Sequence, residues 1–165
     1  VHGKEDTLIT IQIDFQLAER FGMTYVDAEG QTKYPYVIHR TSIGCYERTL
    51  ALLLEKYAGA LPTWLMPEQV RVLPISDRLI DDAKKVEEQL SRPGIRVSCD
   101  TRSEKVGYKI REAQLEKIPY MLVIGDKEVE EGTVSVRSRK EGDLGSMPVE
   151  SFLSKILQEI ATKAK

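Results

Sequence analysis

A chain of 165 residues with 24 Lys and Arg against 26 Asp and Glu carries a formal charge of -2. At 41% hydrophobic and 30% charged, it has the make-up of one globular domain or two small ones, and no charge excess that would by itself drive binding to nucleic acid or a membrane surface. No apolar run nears the roughly 20 residues that span a bilayer, and the two cysteines, Cys45 and Cys99, fit reduced thiols in a cytoplasmic protein.

The opening "VHGKEDTL" has no signal-peptide layout and no starting Met, so the chain reads as a piece of a longer protein. "TLITIQIDFQ" then alternates: Ile9, Ile11, Ile13 and Phe15 on one face, Thr10, Gln12 and Asp14 on the other. That is the pattern of a half-buried antiparallel strand. The polar row is either a solvated face or the wall of a ligand pocket. "DAEGQTK" (27–33) is turn chemistry and "YPYVIHR" (34–40) the next strand. Ser42 is placed to cap a helix running to Ala58, with Gly59 as its stop. "TLALLL" inside it is apolar almost all round, which predicts a buried helix. Arg48 at its start then needs an anion or several acceptors. The candidates are Glu47 or another carboxylate, or a phosphate, which the guanidinium fork binds well.

"GALPTWLMPEQ" (59–69) reads as a linker, with domains expected over 1–64 and 65–165. Beyond it, strands and helices alternate. "VRVLPI" (70–75) is a strand, followed by a helix capped at Ser76 or Asp77 and stopped at "RPG" (92–94). "IRVSCD" (95–100), "PYMLVIG" (119–125) and "GTVSVRSR" (132–139) are further strands. Helix 104–117 is expected to bury Val106, Ile110 and Ala113 and to turn Lys105 and Lys109 outward. Pro148 opens a last helix with Val149, Phe152, Leu153, Ile156 and Ile160 inward. Alternation of this kind predicts an α/β domain with parallel strand pairs, whereas the first sixty residues are too few for a core of their own.

Two groups of residues carry candidate chemistry. His39 is one of two histidines; zinc takes at least three protein ligands, and no CxxC or HxxxH spacing accompanies it. Residues 101–140 hold nine Lys or Arg and seven acids. Within them Lys105 and Lys109, with Arg137 and Arg139 on the polar face of their strand, form a basic patch if helix start and strand end meet at one sheet edge. Glu128 in such a patch would repel phosphate yet accept from an unpaired base, the way single-stranded RNA is read. The bland alternative is an ordinary charged surface.

Taken in order, "TIQIDFQLAERF", "YPYVIHRTSIGCYERTLALLLEKYAGALPTWLMPEQVRVLPI" and "EKVGYKIREAQLEKIPYMLVIGDKEVEEGTVSVRSRKEGDLGSM" resemble the threonyl-tRNA synthetase family, over nearly the whole chain. The resemblance implies the end of a class II catalytic domain, an incomplete antiparallel α+β segment with motif 3. An anticodon-binding domain follows it, with a mixed, mostly five-stranded sheet flanked by helices. It implies a ligase that activates threonine with ATP and Mg²⁺ and passes it to the tRNA, inactive as this piece alone. His39 falls on the position of the third protein ligand of a zinc that selects threonine. Arg48 falls on the ATP-contacting arginine, Gln12 on a substrate-pocket glutamine, and Thr41 and Cys45 on the pocket lining. Ser103, Lys105, Glu128 and Arg137 fall on the anticodon-reading positions. Thr7 stands where a glutamine is common, Cys45 where a serine is, and Ser103 where an asparagine is. The implied partners are threonine, ATP and the anticodon stem-loop of a threonine tRNA, with no membrane. The family's homodimer forms through the catalytic domain, so this piece is expected to be monomeric. A free-standing, non-catalytic RNA-binding module is the competing reading.

Overall fold

The computed structural model describes residues 3, 5 and 7–164, and they divide into two compact units meeting between Lys56 and Tyr57. The first unit contains β1 (Ile11–Asp14), α1 (Leu17–Arg20), β2 (Tyr25–Val26), β3 (Thr32–Lys33), β4 (Val37–Arg40) and α2 (Tyr46–Lys56). β1 pairs antiparallel with β4, as the alternation predicts, and β2 with β3. Asp14 ends β1 and starts α1 by accepting the N–H groups of Gln16 and Leu17, both at 2.8 Å, which holds its carboxyl below the usual range.

The predicted burial of this unit does not occur. Among its described residues only Ala18 is buried. Ile11 is 65% exposed and Leu50 52%, and α2 buries nothing. Two strand pairs and two helices supply no second layer for either apolar face. The helix is also shorter than the predicted Ser42–Ala58 span. Gly44, at φ +79°, makes the turn before it, where a Cβ would collide with the carbonyl of Leu8.

The second unit is a five-stranded sheet of order β6-β5-β7-β8-β9, the mixed sheet flanked by helices that the resemblance implies. β5 (Val70–Pro74), β6 (Val97–Cys99) and β7 (Tyr120–Ile124) are parallel, and β8 (Thr133–Ser138) and β9 (Gly142–Pro148) complete it antiparallel. α3 (Ile80–Ser91) and α6 (Val149–Thr162) cover one face, packing Ala83, Leu90, Phe152 and Ile156 on Val70, Val72, Leu122, Ile124, Val134 and Val136. α4 (Val106–Leu115) covers part of the other, setting Ala113 against Leu73 and Met121. α5 (Asp126–Glu131) joins β7 to β8.

Segment 59–69 is no linker but the lower wall of this unit. Leu61, Thr63, Met66 and Gln69 are buried. The Gln69 amide donates to the Thr63 carbonyl at 2.9 Å and accepts from Arg96 N at 2.9 Å. Thr63 and Tyr120 both donate to the Glu159 carboxylate, at 2.6 and 2.7 Å, and burial pushes the Tyr120 hydroxyl up. Side-chain hydrogen bonds thus replace the secondary structure the two prolines prevent.

Candidate nucleic-acid interface

The parallel arrangement sends the C-terminal ends of β5, β6 and β7 to one edge of the sheet. The loop after β5 turns through Asp77–Leu79, and the loop after β6 runs from Asp100 to Lys105. Ser103 Oγ donates to Asp77 Oδ2 at 2.9 Å, tying the two loops together. Asp100 folds its own loop back: Oδ1 accepts Arg102 N at 3.1 Å and Nε at 2.9 Å, and Oδ2 accepts Nη2 at 2.6 Å. The Arg102 guanidinium holds the Asp100 carboxyl below the usual range and also reaches Glu112 Oε2 at 2.6 Å. Arg102 is thus consumed by carboxylates. Lys105 is the exposed N-cap of α4, extended at φ -61° and ψ 135°.

Past β7, Glu128 sits in the first turn of α5. Its Oε2 accepts Gly125 N at 3.0 Å, and its Oε1 accepts from Ser146 Oγ at 3.3 Å. Ser146 stands opposite Ser135, and two residues along β8 Arg137 stands between Met121 and Asp143. Directly opposed residues share a face, and Met121 lies under α4. Ser146, Ser135, Arg137 and Asp143 therefore line the α4 side of the sheet where β8 and β9 extend beyond that helix. Arg137 Nη2 meets Asp143 Oδ2 at 3.0 Å, with 38% of the arginine side chain exposed.

The four positions aligned with anticodon readers thus fall in two places, linked by the hydrogen bond from Ser146 to Glu128. Ser103, Lys105 and Glu128 are at the end of the parallel strands. Arg137 opposite Met121 lies about 13 Å down the strand direction from Gly125, four residues at 3.3 Å each. The basic patch is thinner than its sequence. Arg139 spans to the carbonyls of Lys117 and Leu61, at 2.5 and 2.7 Å, and burial lowers its guanidinium. Lys117 binds the Ala58 carbonyl. Lys109 points inward, 2% exposed. Its place in the row 106, 109, 110, 113 is itself core spacing, and residue type hid what position shows.

In the first unit, Gln12 and His39 are directly opposite across β1 and β4, and with Asp14 and Gln16 they line a shallow hollow. Arg48 Nη1 donates to the Thr7 carbonyl at 2.8 Å, and the residue is exposed; among the described residues no carboxylate pairs with it. Glu47 instead accepts from Cys45 Sγ at 2.9 Å, and that hydrogen bond lowers the Glu47 carboxyl. Thr41 is exposed. Among the described residues no three His, Cys, Asp or Glu side chains converge as a metal site. His39 by itself falls short of the ligands zinc takes.

The sequence missed Ser146 and Asp143, because β9 carries no clean alternation. A bulge between Val136 and Arg137 shifts the register, so that Leu144 and Met147 both reach the α3–α6 core. The pairing of Asp77 with Ser103 left no signal, since the two residues come from different loops.

Comparison with known proteins supplies the context of both units. Residues 2–57 match the class II core domain of tRNA synthetases (G, H, P, S and T). Threonine–tRNA ligase of Clostridium perfringens is 64% identical over 163 residues, that of Clostridium botulinum 61% over 165, and that of Caldanaerobacter subterraneus 57% over 155. They cover 99%, 100% and 94% of this chain, but the chain spans only 25%, 26% and 24% of theirs. The RNA-binding domain of a threonyl-tRNA synthetase from Cryptosporidium parvum superimposes with a TM-score of 0.80 at 38% identity, over 94% of this chain and 40% of that one. The threonyl-tRNA synthetase resemblance read from the motifs is borne out. Residues 69–159, more than half of the chain, match the anticodon binding domain, and the chain belongs to the anticodon binding domain family.

Proposed function

We propose that this chain is the anticodon-reading part of a threonine–tRNA ligase together with the motif 3 end of its catalytic core. Placement supports the reading: Ser103 and Lys105 stand just before α4 and Glu128 in the first turn of α5, all at the C-terminal end of the parallel strands, and Ser146 ties Glu128 to the sheet face that carries Arg137. Lys105 and Arg137 supply cationic donors, Glu128 a carboxylate acceptor, and Ser103 a hydroxyl, a set that reads unstacked bases rather than a phosphate ladder.

In the whole enzyme, Arg48 would contact ATP, whose phosphate charge Mg²⁺ would help neutralise, and Gln12 would line the threonine pocket with Thr41 and Cys45. Gln12 and His39 are cross-strand neighbours, which suits a substrate glutamine beside a zinc ligand. Among the described residues no other ligands join His39 as a zinc site, so His39 would serve there as one ligand of several. The enzyme joins threonine to its tRNA in the cytoplasm as a homodimer, and this chain alone is monomeric and inactive.

The test is an NMR titration of the chain with the anticodon hairpin of a threonine tRNA. Shifts concentrated at the amides of Ser103, Lys105, Glu128 and Arg137 are expected. Shifts confined to α3 and α6, on the opposite face, would overturn the reading.

A further inference from the structure

Only two charged residues among the described ones are buried, Asp100 at 8% and Lys109 at 2% exposure, and the lysine side chain reaches the backbone of the aspartate. Lys109 Nζ donates to the carbonyl of Asp100 at 3.0 Å and to that of Pro74 at 3.3 Å. Pro74 is the last residue of β5, and Asp100 directly follows β6. β5 and β6 are adjacent and parallel, so one amino group bridges the ends of neighbouring strands. Three residues beyond these carbonyls stand Asp77 and Ser103, the pair that joins the two loops. Lys109 N also donates to the carbonyl of Lys105 at 3.2 Å, within the first turn of α4.

An amino group is costly to bury unless its protons are engaged. Leucine or methionine would fill the same core position, between Val106 and Ala113, without that cost. What Lys109 adds is a fixed spacing between two strand ends and the start of α4.

We infer that Lys109 is a positioning residue for base recognition, its buried Nζ holding the loops of Asp77 and Ser103 and the N-cap Lys105 in the register in which they meet RNA. This rests on the anticodon reading proposed above and names the device that makes its loops rigid.

The test substitutes Lys109→Met, which removes the donors and keeps the bulk. The wild-type chain, K109M and R137A are titrated with the anticodon hairpin of a threonine tRNA and with the same hairpin carrying changed second and third anticodon bases. The titrations are repeated at several salt concentrations. K109M is expected to lose about fivefold or more of the preference for the native hairpin. Its slope of log affinity against log salt should remain that of the wild type, because Lys109 reaches no phosphate. A smaller loss of preference overturns the inference, and so does a slope reduced by about one, which would make Lys109 a phosphate contact. Where K109M does not fold, Lys109→Gln, which keeps an amide donor, replaces it. Failure of both to fold also overturns the inference, since the whole domain rather than the two loops would then depend on Lys109. R137A keeps the two ideas apart. A wild-type chain without preference, or R137A without loss, defeats the anticodon reading itself. Normal behaviour of both beside an unaffected K109M defeats only the role of Lys109.

Discussion

The carboxylate of Glu128 closes on the backbone of Gly125: Oε2 accepts its N–H at 3.0 Å, and a Cβ on Gly125 would stand 2.7 Å from that same oxygen. The backbone of Gly125, at φ -113° and ψ 179°, accepts any residue. Gly125→Ala is therefore expected to fold, at a cost of about 1 kcal/mol for the displaced hydrogen bond. Moving Glu128 off its mark should weaken binding of the anticodon hairpin about fivefold. Thermal denaturation and hairpin titration of the same variant check both halves.

Arg137 is held by Asp143 on the open side of the sheet. Arg137→Ala should weaken hairpin binding about tenfold while changing stability by less than about 0.5 kcal/mol, as a partly exposed ion pair contributes little. Asp143→Asn keeps the oxygen that accepts Gly145 N and releases the arginine, so affinity should rise. A fall in D143N would mean that the pair is needed intact.

The Asp100 carboxyl lies below its ordinary value of 3.8 because Arg102 holds its charged form, followed in weight by the opposing effect of burial. In the folded chain it stays ionised where the unfolded chain takes up a proton. Its contribution is complete above 3.8 and is lost as pH falls below that value toward the folded one. Melting temperatures measured from about pH 6 down to about pH 2 should fall at the acid end. Asp100→Asn should melt lower near neutrality and lose less on acidification; parallel curves for the two proteins would contradict this assignment.

The core and the first unit should respond differently to truncation. Phe152 is fully buried and meets the Tyr120 ring edge to face at 5.4 Å, so Phe152→Ala should cost about 3–5 kcal/mol. Leu50, 52% exposed on α2, should cost under about 0.5 kcal/mol when replaced by Ala in this chain. Urea denaturation of the two variants followed by circular dichroism measures the contrast.

The sheet of the second unit was legible because its strands are short apolar runs between helical patterns, and the periodicity of α6 survives intact in Phe152 and Ile156. β9 was not, since the bulge beside Arg137 breaks its alternation. Lys109 was misplaced because its type outweighed its spacing, although 106, 109, 110 and 113 fall on one helical stripe. Segment 59–69 read as a linker because prolines signal irregular backbone, which says nothing about whether that backbone packs. In the first unit the pattern of β1 predicted an antiparallel strand, which it forms with β4, but not its exposure, which depends on a covering layer. The candidate readers Lys105, Glu128 and Arg137 were legible as residue types. That Ser146 links Glu128 to the face carrying Arg137 follows only from strand order and register.

The most direct measurement is the affinity of this chain for the anticodon hairpin of a threonine tRNA beside hairpins altered at the second or third anticodon base, at one fixed physiological salt concentration. A preference for the native loop of about tenfold or more is expected at each position, the size of one good base contact. Equal binding to all three would contradict the anticodon reading, leaving Lys105, Glu128 and Arg137 part of a charged surface without a reading function.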